Sequence, residues 1–230
     1  MSLHVAAVIP AAGLGVRLGG TFDEPAPPKA LRLLRGRPLL EYAVRSLAAE
    51  LDEIVVAAPA GREAEVVALV SGLGPTLRVV AGGGSRQESV ALALAAVSDG
   101  ITHVLVHDAA RPLAPAAMIR RVVDALAAGA RIVVPVVPAV DSLRSVRAYG
   151  SNQRIDRAAV RAVQTPQGFE REVLVRAHAE AAGAGATDDA GLAERLGERV
   201  TLVEGDPLAF KVTTTVDLLL AEAVLAATDS

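Results

Sequence analysis

Short apolar runs alternate with longer segments of helical periodicity along the whole chain. VAAVIP from Val5, EIVVAAP from Glu53, LRVVAGG from Leu77, THVLVHD from Thr102, RIVVPVV from Arg131 and VTLVEGD from Val200 are rich in β-branched residues and lack polar–apolar alternation. That is the pattern of strands covered on both faces. Helix-length segments lie between them at 38–49, 61–71, 85–97, 115–128 and 170–182, and 216–227 closes the chain. The alternation predicts an α/β fold, a three-layer, doubly wound, mainly parallel sheet. One stretch departs from it. Residues 141–167 are polar and Arg-rich, with Gly150, Ser151 and Asn152 between two short alternating runs. This predicts a protruding β-hairpin arm spanning 139–167. A lone hairpin is marginal in water, so the arm needs a partner surface, either its own domain or a second copy of the chain.

Composition narrows the chemistry. At 230 residues the chain fits one domain, 1–230. Hydrophobic residues make up 52% of it, yet no run approaches the roughly 20 apolar residues of a membrane helix. The opening MSLHVAAVIP has no basic start and reads as a first strand, so a cytoplasmic location is expected. With zero Cys there is no thiolate nucleophile, thiolate metal site or disulfide. A net charge of −3 and 2% aromatic residues argue against a nucleic-acid surface. Any anionic ligand must therefore be held by a local cluster.

Such clusters stand at strand ends. PAAGLGVRLGG follows the first strand with Gly13, Gly15, Gly19 and Gly20, carries Arg17, and reaches Lys29 past Pro25, Pro27 and Pro28. Small residues let backbone N–H groups approach phosphate oxygens, and Arg17 and Lys29 add charge. A dinucleotide fingerprint needs glycine at position 18, which is Leu18, and Gly-Lys-Ser/Thr is absent. A tight turn with solvated basic residues accounts for this loop alone equally well. AGGGSRQESV repeats the theme with Gly82, Gly83 and Gly84; Ser85 and Glu88 have capping-box spacing, but three glycines suit close approach of a flat base. VHDAARP puts Asp108 and Arg111 at the carboxyl edge, where Asp108 is a candidate Mg²⁺ ligand or, structurally, a brace for Arg111. His103 and His107 lie about 13 Å apart along a strand and cannot share an ion; His103 is structural. Arg144, Arg154, Arg157 and Arg161, then QTPQGF, Thr187, Asp188, Asp189 and Lys211 complete a set suited to oxygen-rich anions, although each has a structural reading as a solvated charge or helix cap.

Taken in order, PAAGLGVRLG with PPKAL, GGGSRQESV, VHDAARP, VDSL, IDR, QTPQGF, TDDA and FKVTT resemble the motifs of the 2-C-methyl-D-erythritol 4-phosphate cytidylyltransferase family, essentially end to end. The resemblance implies a Rossmann-like nucleotidyltransferase fold and Mg²⁺-dependent transfer of CMP from CTP to the phosphate of methylerythritol phosphate, with pyrophosphate release, in the non-mevalonate isoprenoid pathway. It implies a homodimer joined through the arm. By the same resemblance Arg17 and Lys29 stabilise charge on the α-phosphate and pyrophosphate. Ala11, Ala12, Gly13, Gly15, Gly82, Gly83 and Ser89 contact the cytidine nucleotide. Asp108, Arg111, Ser142, Thr165, Thr187 and Lys211 form the acceptor site, and Arg157 reaches the partner subunit's site, where with Lys211 it orients the acceptor phosphate. The chain departs from the family's commoner pattern at Ser142, Arg144 and Ala209, and Ala209 removes a side-chain contact.

The chemistry is coherent on general grounds. A phosphomonoester, with a second pKa of about 6, is mostly dianionic at neutral pH and needs no general base. The work left is to align two anions and neutralise the leaving pyrophosphate. The alternatives are a cytidylyltransferase for another polyol phosphate such as ribitol 5-phosphate, a nicotinamide-dependent oxidoreductase, which Leu18 opposes, and a non-catalytic nucleotide sensor.

Overall fold

The computed structural model describes residues 3–13, 27–74, 76–146, 152–180 and 188–228. Gly15, Arg17 and Thr187 lie outside the described residues.

The first strand, β1 (Val5–Pro10), lies inside the main sheet, paired on both edges. A small ladder of β2 (Leu33–Leu34) and β3 (Arg37–Pro38) leads into α1 (Leu39–Ala48). Then β4 (Glu53–Ala58), α2 (Glu63–Val70), β5 (Leu77–Ala81), α3 (Arg86–Ala95), β6 (His103–Val106), α4 (Ala116–Ala127) and β7 (Ile132–Pro138) alternate as expected. β1, β4, β5 and β6 are mutually parallel. The arm follows as a separate ladder of β8 (Leu143–Val146) and β9 (Asn152–Ile155). Beyond it β10 (Arg161–Val163) pairs antiparallel with β7, and β11 (Gln167–Glu170) lies antiparallel between β6 and β7. The chain ends with α5 (Arg171–Glu180), α6 (Asp189–Glu194), β12 (Thr201–Glu204), parallel to β7, and α7 (Thr215–Thr228).

Two apolar layers follow from strand alternation. Val5, Ala7 and Ile9 face one side with Leu40, Val44 and Leu47 of α1, Val66 and Val70 of α2, and Ile119, Val122 and Leu126 of α4. Ala6 and Val8 face the other, with Val90, Ala93 and Leu94 of α3 and Val173, Leu174 and Ala177 of α5. Among the described residues no helix is long and apolar enough to cross a membrane.

The reversed strand β11 was not anticipated from its sequence. QGFE is short, begins with a polar residue and carries no alternation. It is held by side chains distant in sequence: Gln167 is fully buried, its Nε2 donating to Asp188 Oδ2 at 2.7 Å and its Oε1 accepting from Ala190 N at 3.1 Å. Between β10 and β11 the register shifts. Val163 faces Val136 and Gly168 faces Val133, so residues 164–167 stand opposite only Val134 and Pro135. This is a bulge of two extra residues at the carboxyl edge of β6, the kind of irregularity that re-aims side chains beside a site. Gln164 clasps it, accepting from Asp206 N at 2.9 Å and donating to Asp206 O at 2.7 Å.

Phe169 is fully buried against Ile132, Val173 and Leu174 in the second layer. Phe169→Ala is expected to cost about 3–5 kcal/mol, read by urea denaturation; a loss under about 1 kcal/mol would show that β11 does not contribute to the core.

Candidate active site

The carboxyl ends of β1, β5 and β6 open on one cavity of about 430 Å³. Ala11, Ala12, Gly13, Lys29, Gly83, Ser89, Asp108 and Lys211 line it, together with Arg86, to which the sequence motifs assign no role. Its size is that of a small-molecule site.

The floor is backbone. Ala11 N donates to Ala57 O at 2.8 Å, extending β1, and Gly13 O accepts from Lys29 N at 3.3 Å, which brings the segment bearing Lys29 beside the first loop. Among the described residues, a Cβ placed on Gly13 would meet no atom within 4 Å. Gly82 and Gly83 answer a different demand. A Cβ on Gly82 would lie 2.6 Å from the Ala12 Cβ and 2.9 Å from Ala58 O, and one on Gly83 would lie within the Glu88 side chain. Packing inside the protein already requires both glycines. Ser85 caps α3, accepting from Glu88 N at 3.0 Å, while the Glu88 carboxylate accepts from Gly84 N at 2.8 Å. Ser89 accepts from Gly83 N at 3.1 Å and donates to Ser85 O at 2.8 Å, so its proton serves the loop.

Charge concentrates around Asp108. Arg86 Nε donates to its Oδ1 at 3.1 Å and Lys211 Nζ to its Oδ2 at 2.6 Å. Burial alone would raise the Asp108 pKa, but Arg86, then Lys211, outweigh it and hold the carboxyl below the ordinary range. Arg86 turns its other edge to Asp189, with Nη1 2.7 Å from Oδ2, and His178 Nε2 lies 3.0 Å from Asp189 Oδ1. Burial works against the Arg86 charge, yet the carboxylates of Asp189 and Asp108 more than offset it and raise its pKa. Asp189 is likewise depressed despite burial, through the His178 hydrogen bond and the Arg86 charge.

The structural alternative for Asp108, a brace to Arg111, takes another form. Asp108 pairs with Arg86 and Lys211, whereas Arg111 donates to two carbonyls, Ala209 O at 2.6 Å and Val163 O at 3.1 Å. It thereby ties the segment before Lys211 to β10. Thr165, on the bulge, accepts from Asp108 N at 3.0 Å. His107 lies beneath, wholly buried, with Nδ1 3.2 Å from Thr165 Oγ1 and Nε2 3.2 Å from Arg111 O. Because Arg111 O can only accept, the proton belongs on Nε2, and Nδ1 takes the threonine proton. Burial pushes the His107 pKa down to about 4 against the opposing pull of Asp108. His103 bonds Thr102 Oγ1 at 2.8 Å on the opposite end of the strand.

Two acceptor-site candidates stand apart. Ser142 and Arg157 line a second cavity of about 690 Å³ beneath the arm, with Arg154, Asp156 and Arg161. There Arg157 Nη1 donates to Val140 O at 2.8 Å. Among the described residues no group of three or more His, Asp or Glu side chains gathers as a metal site. Asp108 offers one carboxylate at the cavity wall, with Arg86 on one oxygen and Lys211 on the other. A Mg²⁺ ion there would be held chiefly by phosphate oxygens and water, the usual arrangement for this cation, with Asp108 contributing only a remaining lone pair.

The model of the family described as 2-C-methyl-D-erythritol 4-phosphate cytidylyltransferase matches residues 5–227. A protein of that name from Streptomyces avermitilis is 50% identical, over 97% of this chain and 92% of its own length. One from Nocardia farcinica is 50% identical, over 96% and 94%. The crystal structure of the Thermus thermophilus 2-C-methyl-D-erythritol 4-phosphate cytidylyltransferase superposes with a TM-score of 0.79 at 41% identity, covering 96% of this chain and 98% of that one. That of 4-diphosphocytidyl-2C-methyl-D-erythritol synthase from Anaerococcus prevotii gives 0.83 at 25% identity, covering 97% and 99%.

His107 gives the site a measurable pH signature. Its folded-state pKa of about 4 lies below the ordinary 6.5, so between those values the unfolded chain binds the proton first and stability falls as pH falls. The loss is on the order of 3 kcal/mol. Urea denaturation at pH 7 and pH 4 is expected to show that additional loss in the parent protein but not in His107→Gln; equal losses would mean that the imidazole is not held neutral.

Proposed function

The chain belongs to the 2-C-methyl-D-erythritol 4-phosphate cytidylyltransferase family, and from that premise we propose that it transfers CMP from CTP to 2-C-methyl-D-erythritol 4-phosphate in the non-mevalonate isoprenoid pathway. The observation that carries the reading is the cavity that Lys29 lines together with a carboxylate, Asp108, paired to Arg86 and Lys211, above a glycine-lined floor. An acceptor phosphate oxygen attacks the α-phosphorus of CTP, the bond from that phosphorus to the bridging oxygen breaks, and pyrophosphate leaves with the electron pair. The products are 4-diphosphocytidyl-2-C-methyl-D-erythritol and pyrophosphate.

In this reading Ala11, Ala12, Gly13, Gly82 and Gly83 form the surface on which the nucleotide lies, with Ser89 holding the second loop in shape. Lys29 meets the charge that grows on the α-phosphate and pyrophosphate, as Arg17 and the backbone at Gly15 do from the same loop. Lys211 faces the acceptor phosphate from the Asp108 side. Thr165, buried beside His107, directs its proton to that ring and accepts from Asp108 N, so in this reading it shapes the acceptor side from beneath. Arg111 holds the Lys211 segment in place, and Thr187 belongs to the same acceptor region. Mg²⁺ is the cofactor of this reading: Asp108 would hold it with the triphosphate, and when bound it supplies charge neutralisation at the phosphates.

Residues 1–230 form one nucleotidyltransferase domain in this reading, working in the cytoplasm, and the arm within 139–167 joins two subunits. Ser142 and Arg157 line the arm cavity rather than the nucleotide cavity of their own chain, and Val140 and Val146 on the arm are 84% and 89% exposed. Apolar side chains so bare favour a partner surface.

Purified protein incubated with CTP, Mg²⁺ and either methylerythritol phosphate or ribitol 5-phosphate is expected to release pyrophosphate faster with the former; faster turnover of the ribitol ester would reassign the acceptor. In the same assay Lys29→Ala should lower kcat at least about a hundredfold while changing CTP affinity only a few-fold, because its charge acts chiefly in the transition state. Mixing subunits carrying Arg157→Ala with subunits carrying Lys29→Ala should restore part of the activity through one intact hybrid site. No recovery despite verified subunit exchange would return Arg157 to its own chain.

A further inference from the structure

Behind the cavity the charged groups continue inward. Lys211, Asp108, Arg86, Asp189 and His178 follow one another at 2.6, 3.1, 2.7 and 3.0 Å, cation and carboxylate alternating as far as the imidazole. Lys211 is 38% exposed at one end, while the side chains of Asp189 and His178 are 1% and 5% exposed at the other. Asp189 does not line the cavity, and its neighbours Ala190, Leu192 and Ala193 belong to the aliphatic layer between α5, α6 and the sheet. A buried carboxylate in such a layer costs several kcal/mol in lost hydration, so the fold gains nothing from it that an apolar residue would not supply.

What it does is divide a guanidinium. Facing a single carboxylate, Arg86 could lay its Nε–Nη2 edge on both oxygens in a two-pronged pair. Here it is shared between two carboxylates, Nε on Asp108 Oδ1 and Nη1 on Asp189 Oδ2, and the second oxygen of Asp108 meets Lys211. The same logic operates one step deeper. Among the described residues the buried His178 Nδ1 has no hydrogen-bond partner, while Nε2 faces Asp189 Oδ1. Asp189 is thus held on one oxygen by His178 and on the other by Arg86. Each carboxylate is shared between two donors, and the sharing sets where the last cation stands.

We propose that Asp189, held by His178, is a positioning residue for nucleotidyl transfer: it draws Arg86 back so that Asp108 keeps one oxygen for Lys211 and aims its ammonium into the cavity. The inference rests on the reading that Lys211 acts on the reacting phosphates. Asparagine cannot replace Asp189, since its amide nitrogen would face either the Arg86 N–H or the His178 N–H.

A double-mutant cycle tests it with the full-length protein, scoring pyrophosphate release from CTP and methylerythritol phosphate in the parent, Asp189→Asn, Lys211→Met and the double variant, with thermal midpoints recorded for each. Asp189→Asn is expected to lower kcat about tenfold or more with the KM for CTP within about threefold, and to cost less than about twofold once Lys211 is Met. Independent, multiplicative losses on the two backgrounds would overturn the proposal and leave Asp189 a support of the fold. Should Asp189→Asn not fold, His178→Leu, which frees Asp189 Oδ1 for Arg86, takes its place in the cycle, and His178→Gln, which keeps an N–H donor, should rescue it. Parent-like turnover of His178→Leu overturns the proposal equally. A parent protein that releases no pyrophosphate would instead overturn the proposed function, and that outcome is read from the control alone.

Discussion

The Asp108 carboxylate is the group on which the site depends. It is 8% exposed, an environment that favours the neutral acid, and it stays ionised because one cation engages each of its oxygens. Breaking such a pair by removing one partner costs about 3–5 kcal/mol, since the remaining charge is stranded in a poorly hydrated place. The cations come from distant parts of the chain. Arg86 opens α3, 22 residues before Asp108, and Lys211 stands 103 residues after it. One ionised group therefore closes the cavity on two sides, and the glycine loops acquire a fixed wall to face.

The sheet delivers these groups by ordinary means. Strands β1, β5 and β6 end on the same edge because they are parallel, and the residues just beyond them carry the loops. The acceptor side is reached differently. Its residues arrive on the reversed segment after the arm, so Thr165 meets the edge at the start of β11 rather than at the end of a strand. Arg111 then fastens three pieces, the β6 loop, β10 and the segment leading to Lys211, through carbonyl oxygens alone. Those contacts depend on a guanidinium's planar fork, which a lysine lacks.

Much of this was legible from one sequence. Unbroken β-branched runs marked the six parallel strands, and each of the six expected helices began and ended within about two residues of its expected limits, because periodic burial and turn residues are local signals; α6 (Asp189–Glu194), six residues long, was not expected. The order of the motifs led to the family. What stayed hidden was set by contacts across long separations. Gln167 reads as a polar loop residue until Asp188 and Ala190 are seen to satisfy its amide, and without that satisfaction β11 could not be buried. Arg86 stands in plain view beside a helix cap, yet its role comes from Asp108 and Asp189, neither of them on its own helix. The glycines at 82 and 83 looked like an adaptation to a ligand; their neighbours Ala12, Ala58 and Glu88 already exclude a side chain.

Beyond the bulge before β11, alternation resumes in the phase that β7 sets: Gly168, opposite Val133, faces α4, and Phe169, opposite Ile132, faces the other layer. The two cannot trade places, since even a methyl group on Gly168 comes within 3 Å of Val122 and Leu126, and a glycine would leave a void where the ring now packs. The core thus pins the first residues of β11, and any change in the length of the stretch bearing Thr165 must be absorbed by the bulge, on the side of the site and not of the strand.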